Sequence, residues 1–140
     1  MKLHVFGGFW LVLAMAVLLF PLRFLAGVIL AAAVHELGHL AAIRMTGGRV
    51  LGMEFHAGGV RILTGPMEPR TEIICALAGP AVGALTILAW RAFPELAAAG
   101  LVQTVFNLLP VYPLDGGRAL RNICCKRRDF GVQYGEHKDK

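Results

Sequence analysis

From Val5 to Leu22 no charged residue interrupts the chain. At about 1.5 Å per residue, such an apolar run is long enough to cross a hydrocarbon core of roughly 30 Å. A second apolar run extends from Phe24 to about Ile43, with Pro21-Leu22-Arg23 as a tight hairpin between the two. Arg44 to Arg70 differs in kind: it is polar and glycine-rich, with short β-prone pieces at Leu51–His56 and Gly59–Leu63 around an Ala57-Gly58-Gly59 turn. A third apolar run covers about Ile73 to Phe93. Pro94-Glu95 opens a fourth, Leu96 to Leu120, interrupted by Pro110 and Pro113. The pattern predicts an all-α membrane protein of about four transmembrane helices, with a small β-hairpin between helices two and three. Residues 1–121 would form the membrane-embedded core and 122–140 a basic cytoplasmic tail.

Composition strengthens the membrane reading. The chain is 56% hydrophobic and 16% charged, where soluble domains carry about a quarter charged residues. Its net charge of +5 invites a nucleic-acid partner, but the distribution of the charges excludes one. With four spans, 12 of the 14 Lys and Arg residues fall on one side, leaving Arg23 and Arg91 on the other. Such asymmetry sets membrane orientation and places both termini in the cytoplasm. Cys75, Cys124 and Cys125 form no CxxC pair, so neither a disulfide framework nor a thiolate zinc site is expected.

Four ionisable groups lie well inside the apolar runs: His35, Glu36, His39 and Asp115. Each would cost about 2.5–3.5 kcal/mol at a bilayer centre if left without partners. A metal ion turns the same groups into ligands or neighbours of ligands. His35 and His39, four residues apart, share one helix face and can reach one tetrahedral Zn²⁺. Glu36, one step around, suits the base that takes a proton from water and returns it to a leaving amine. Asp115 is the one carboxylate of the fourth span, and helices two and four run in the same direction, so it should meet the histidines at similar depth. Pro110 and Pro113 remove two amide donors beside it and Gly116-Gly117 permits sharp turning. Such irregular backbone at membrane depth is tolerated where it lines a wet cavity. Asn107 is an amide suited to the scissile carbonyl or oxyanion.

His35-Glu36-Leu37-Gly38-His39, Ala78-Gly79-Pro80 and the run from Asn107 to Arg118 (NLLPVYPLDGGR) together resemble the three signatures of site-2 proteases, the M50 intramembrane zinc metallopeptidases. The resemblance is to the compact branch that includes stage IV sporulation protein FB, without PDZ or CBS domains. It implies one zinc held by His35, His39 and Asp115, with Glu36 as catalytic base and Asn107 positioning the substrate or its transition state. The implied substrate is a single-span membrane protein cut in or near its transmembrane segment, in membrane lipid, in a bacterial cytoplasmic membrane. A regulatory or complementing membrane protein is a further implied partner.

Plainer roles stand beside these. Gly79 and Gly83 make a GxxxG packing seam, and Pro80 kinks that helix. His56 could be an extra ligand, but a lone histidine on a strand is usually just surface or packing. Asp115 can also cap a helix, and Asn107 can make an interhelical hydrogen bond with no part in chemistry. Two other functions use the same ligands: a catalytically silent membrane binding partner, and a zinc carrier or sensor.

Overall fold

The computed structural model describes residues 2–124; Met1 and 125–140, which hold Cys125 and most of the expected basic tail, lie outside the described residues. Strand β1 (Lys2–Val5) precedes helix α1 (Gly7–Leu19). The expected first span therefore starts late, because Val5 is taken by a strand. Lys2-Leu3-His4-Val5 alternates polar and apolar, the period of a strand. It pairs in parallel with β2 (Val50–His56), Lys2 opposite Gly52 and Val5 opposite Phe55. Phe6 then donates its backbone N–H to the Phe55 carbonyl at 3.0 Å. The β2 strand turns into antiparallel β3 (Gly59–Thr64) through Gly59 at φ 124°, a conformation open to glycine and strained for other residues. The expected hairpin is thus two strands of a three-stranded sheet, ordered β1-β2-β3. His56 stacks on Phe6 with ring centroids 4.3 Å apart, the packing role foreseen for it.

Two helical stretches are apolar and long enough to cross a membrane: α2 (Leu22–Met45), and α3 (Pro69–Ala84) with the 3₁₀ turn Leu85–Ala89 that continues it. The α1 helix has 13 residues, about 20 Å of rise and short of the hydrocarbon core by itself. The fourth apolar run is divided into α4 (Pro94–Asn107), an irregular segment 108–114, and α5 (Asp115–Cys124). Pro110 and Pro113 within that segment lack amide donors and cannot continue the helical ladder. The architecture is an α-helical, membrane-associated protein with two apolar helices of membrane length and a small sheet beside the helical core.

Small side chains hold the helices close. On α2 the buried positions Gly27, Ala31, His35, His39 and Ile43 recur every four residues and make one stripe. They meet Cys75, Ala76, Gly79, Pro80 and Gly83 of α3 and Ala97, Gly100 and Thr104 of α4. In lipid, where apolar side chains gain little by leaving the solvent, such small-residue seams carry helix association. A β-carbon at Gly27 would lie 3.0 Å from the backbone at Glu95 and Leu96, so α2 and α4 touch near their starts. Arg23 and Glu95 pair there at 3.3 Å. The large apolar side chains face outward, Trp10, Leu18, Leu88 and Val102 among them.

Candidate metal centre

The stripe on α2 carries both histidines into the interior, where each is under a tenth exposed. Their neighbours are shaped to admit them. A β-carbon on Gly79 would fall on the His39 imidazole, and one on Gly38 would lie 2.7 Å from the Ala78 carbonyl. Only glycine at both positions lets α2 and α3 approach closely with a ring between them. The GxxxG seam expected from sequence is therefore present, and it forms a wall of the site.

Asp115 arrives from far along the chain as the first residue of α5. The segment 108–114 folds back against that helix so tightly that a β-carbon on Gly116 would collide with Leu108 and one on Gly117 with the Val111–Tyr112 backbone. Neither glycine has a positive φ; both serve close approach, whereas sequence had suggested sharp turning. The carboxylate is thereby buried among the helices.

Three ligand atoms converge. His35 Nε2 and Asp115 Oδ2 are 3.1 Å apart, His39 Nε2 and Asp115 Oδ2 are 3.1 Å apart, and the two Nε2 atoms are 3.1 Å from each other. Hydrogen bonding satisfies this triangle poorly, since one proton on His35 Nε2 can serve only one edge well. A divalent ion satisfies it well: tetrahedral bonds of about 2.0 Å to nitrogen and oxygen set ligands about 3.3 Å apart. The tautomer of His39 also fits. Its Nδ1–H donates to the Cys75 carbonyl at 2.7 Å, which leaves Nε2 with a free lone pair facing the triangle. On the outer side of the carboxylate, Arg118 Nη1 approaches Asp115 Oδ1 at 3.8 Å while Nη2 reaches Glu72 at 3.7 Å. The buried His35, His39 and Asp115 form a cluster suited to a single metal ion.

The other two expected residues stand apart from the triangle. Glu36 follows His35 on α2, is half-buried and lies outside the ligand group. Asn107 is the half-buried last residue of α4, just before the irregular segment, and takes part in none of the hydrogen bonds that tie the cluster together. Two contributors had no role assigned from sequence. The Cys75 carbonyl is a backbone group, invisible in residue identity. Arg118 was legible as a basic residue but not as the partner of both Glu72 and Asp115.

No family model matches the chain. Among curated proteins, "Putative zinc metalloprotease Rip3" of Mycobacterium tuberculosis is 36% identical over 120 aligned positions, covering 72% of this chain and 30% of that protein. Stage IV sporulation protein FB of Bacillus subtilis is 25% identical over 151 positions, 93% of this chain and 50% of that protein. The chain thus spans half or less of the length of these relatives. Among solved structures, the site-2 protease from Methanocaldococcus jannaschii superposes with a TM-score of 0.74 at 21% identity, covering 91% of this chain and 69% of that one. The fold is site-2-protease-like. Within such a fold, the candidate metal ligands come from two elements that lie far apart in sequence, α2 and α5.

Proposed function

We propose that this chain is an intramembrane zinc metalloendopeptidase of the site-2 protease kind, hydrolysing peptide bonds in or near a transmembrane segment of another membrane protein. One observation carries the reading: His35, His39 and Asp115 close a 3.1 Å triangle of ligand atoms inside a helical core, within a site-2-protease-like fold. Two nitrogens and one carboxylate oxygen suit zinc, and three protein ligands leave the fourth position for substrate or water, as in catalytic rather than structural sites. A zinc ion held there supplies Lewis acidity and lowers the pKa of water to about 7.

The remaining chemistry belongs to the protein. Glu36 takes the proton of the attacking water and delivers it to the departing amine. Asn107, at the mouth of the irregular segment, offers its amide N–H to the carbonyl oxygen as charge develops on it. The Cys75 carbonyl holds the His39 ring in its ligating tautomer, and Arg118 steadies the carboxylate of Asp115 from behind. Asp115 opens α5 as its first residue, and its carboxylate turns to the histidines rather than capping the helix.

The membrane arrangement follows from charge. All four apolar runs cross the bilayer, α4 and α5 sharing the last crossing, with both termini on the cytoplasmic side of a bacterial membrane. The catalytic core spans 1–121 and the tail 122–140. The site then lies in the cytoplasmic half, where a single-span substrate can present a locally unwound segment.

Glu36→Gln tests the activity. Co-expressed with tagged single-span membrane proteins, it should lower cleavage by about 10²–10⁴-fold, the usual weight of a general base, while the purified variant keeps its metal. Full metal occupancy with no Glu36-dependent cleavage of any single-span protein would mark a silent binding partner instead.

A further inference from the structure

Among the described residues, one buried side-chain polar atom has no hydrogen-bond partner: Nδ1 of His35. The imidazole can present a lone pair at Nε2, the corner of the ligand triangle, only if its proton sits on Nδ1. For His39 the Cys75 carbonyl enforces that choice at 2.7 Å. No carbonyl does the same for His35. Ligating histidines nearly always donate their second N–H to an outer partner, so the asymmetry calls for one.

The candidate acceptor sits across a small gap. A β-carbon placed on Gly83 would lie 3.4 Å from His35 Nδ1 and 3.0 Å from the hydroxyl of Thr104. Both polar atoms therefore border the same space, kept clear because residue 83 is glycine. Thr104 is buried, 6% exposed, on the face of α4 that also buries Ala97 and Gly100. Its hydroxyl donates to the Pro80 carbonyl at 3.4 Å, and a hydroxyl that donates once still has lone pairs to accept with. Helix geometry explains the encounter. From the contact of Gly27 with Glu95, α2 reaches His35 after eight residues and α4 reaches Thr104 after nine. Side-by-side helices of equal rise bring those two positions to one level.

We infer that Thr104 is the positioning residue for His35: the Nδ1–H reaches its hydroxyl oxygen across one water in the gap over Gly83, and the hydroxyl donates onward to the Pro80 carbonyl. The branched side chain, stiff at χ1, holds that oxygen in place. Thr104 touches neither metal nor substrate. It fixes the ring and tautomer of a residue that does. The inference rests on the metal-centre reading above.

The test is metal affinity of the full chain in detergent, measured by competition with a chromophoric chelator for Zn²⁺ and Co²⁺. Wild type, Thr104→Val and Thr104→Ser are compared, with thermal unfolding of each metal-free protein alongside. Thr104→Val keeps the shape and removes the hydroxyl; it should bind metal about 10–100-fold more weakly, the usual loss for an outer-shell partner. Thr104→Ser should stay within about threefold of wild type, and the metal-free unfolding midpoints of all three should agree. If Val lowers that midpoint, the less bulky Thr104→Ala carries the same expectation. Equal affinity in the hydroxyl-free variants would overturn the inference, as would an equal loss in the Ser variant. Failure of the wild type itself to bind either metal would instead overturn the metal-centre reading.

Discussion

Two neighbouring helices, α1 and α2, are both apolar, yet the chain uses them in opposite ways. The α1 helix has no buried residue, and Trp10, Leu11, Val17 and Leu18 all look outward. The α2 helix buries seven, among them both histidines and two glycines. Large aliphatic and aromatic side chains mark a surface solvated by lipid tails. Small residues with polar ones interspersed mark a surface that another helix must approach. Hydrophobicity therefore identifies the solvent, while residue size and the rare polar atom identify the site.

The same substitution in the two surroundings breaks or sharpens that contrast. Gly79→Ala places a methyl group where the His39 ring sits. Its expected effect is the larger: metal affinity down by about 10–100-fold, as when a ligand's supporting shell is disturbed, and a loss of about 1–3 kcal/mol from overpacking. That loss outweighs the roughly 1 kcal/mol that alanine gains over glycine in a helix interior. Chelator competition and thermal unfolding read both quantities. Gly7→Ala, at the start of α1, meets nothing within 4 Å. It should leave metal affinity unchanged and stability within about 0.5 kcal/mol. Similar outcomes at the two positions would mean that the tight packing around His39 is unimportant.

The buried His35, His39 and Asp115 cluster was legible in sequence because ionisable residues are rare and costly in apolar runs. His35, Glu36, His39 and Asp115 stood out for that reason, and the four-residue spacing placed two of them on one face. The break in the fourth run was legible too, since Pro110 and Pro113 cannot continue a helix. Strand β1 was not: four residues, Lys2 to Val5, carry too little alternation, and their pairing depends on β2 some 50 positions later. Thr104 was equally hidden. A threonine beside Gln103 looks like filler until the contact between Gly27 and Glu95 sets the level at which it and His35 border the gap over Gly83. Gly116 and Gly117 were noticed for the wrong property, flexibility, because the collision they avoid is with Leu108, Val111 and Tyr112 backbone that only the folded chain brings near.

The account stands or falls on three side chains sharing one ion. Metal analysis of the purified protein, wild type beside Asp115→Ala, addresses that directly. The expected result is about one zinc per chain in the wild type and a small fraction of that in the variant, since losing one of three protein ligands opens the site. Zinc content equal in the two proteins, or none in the wild type after purification with zinc present, would contradict it.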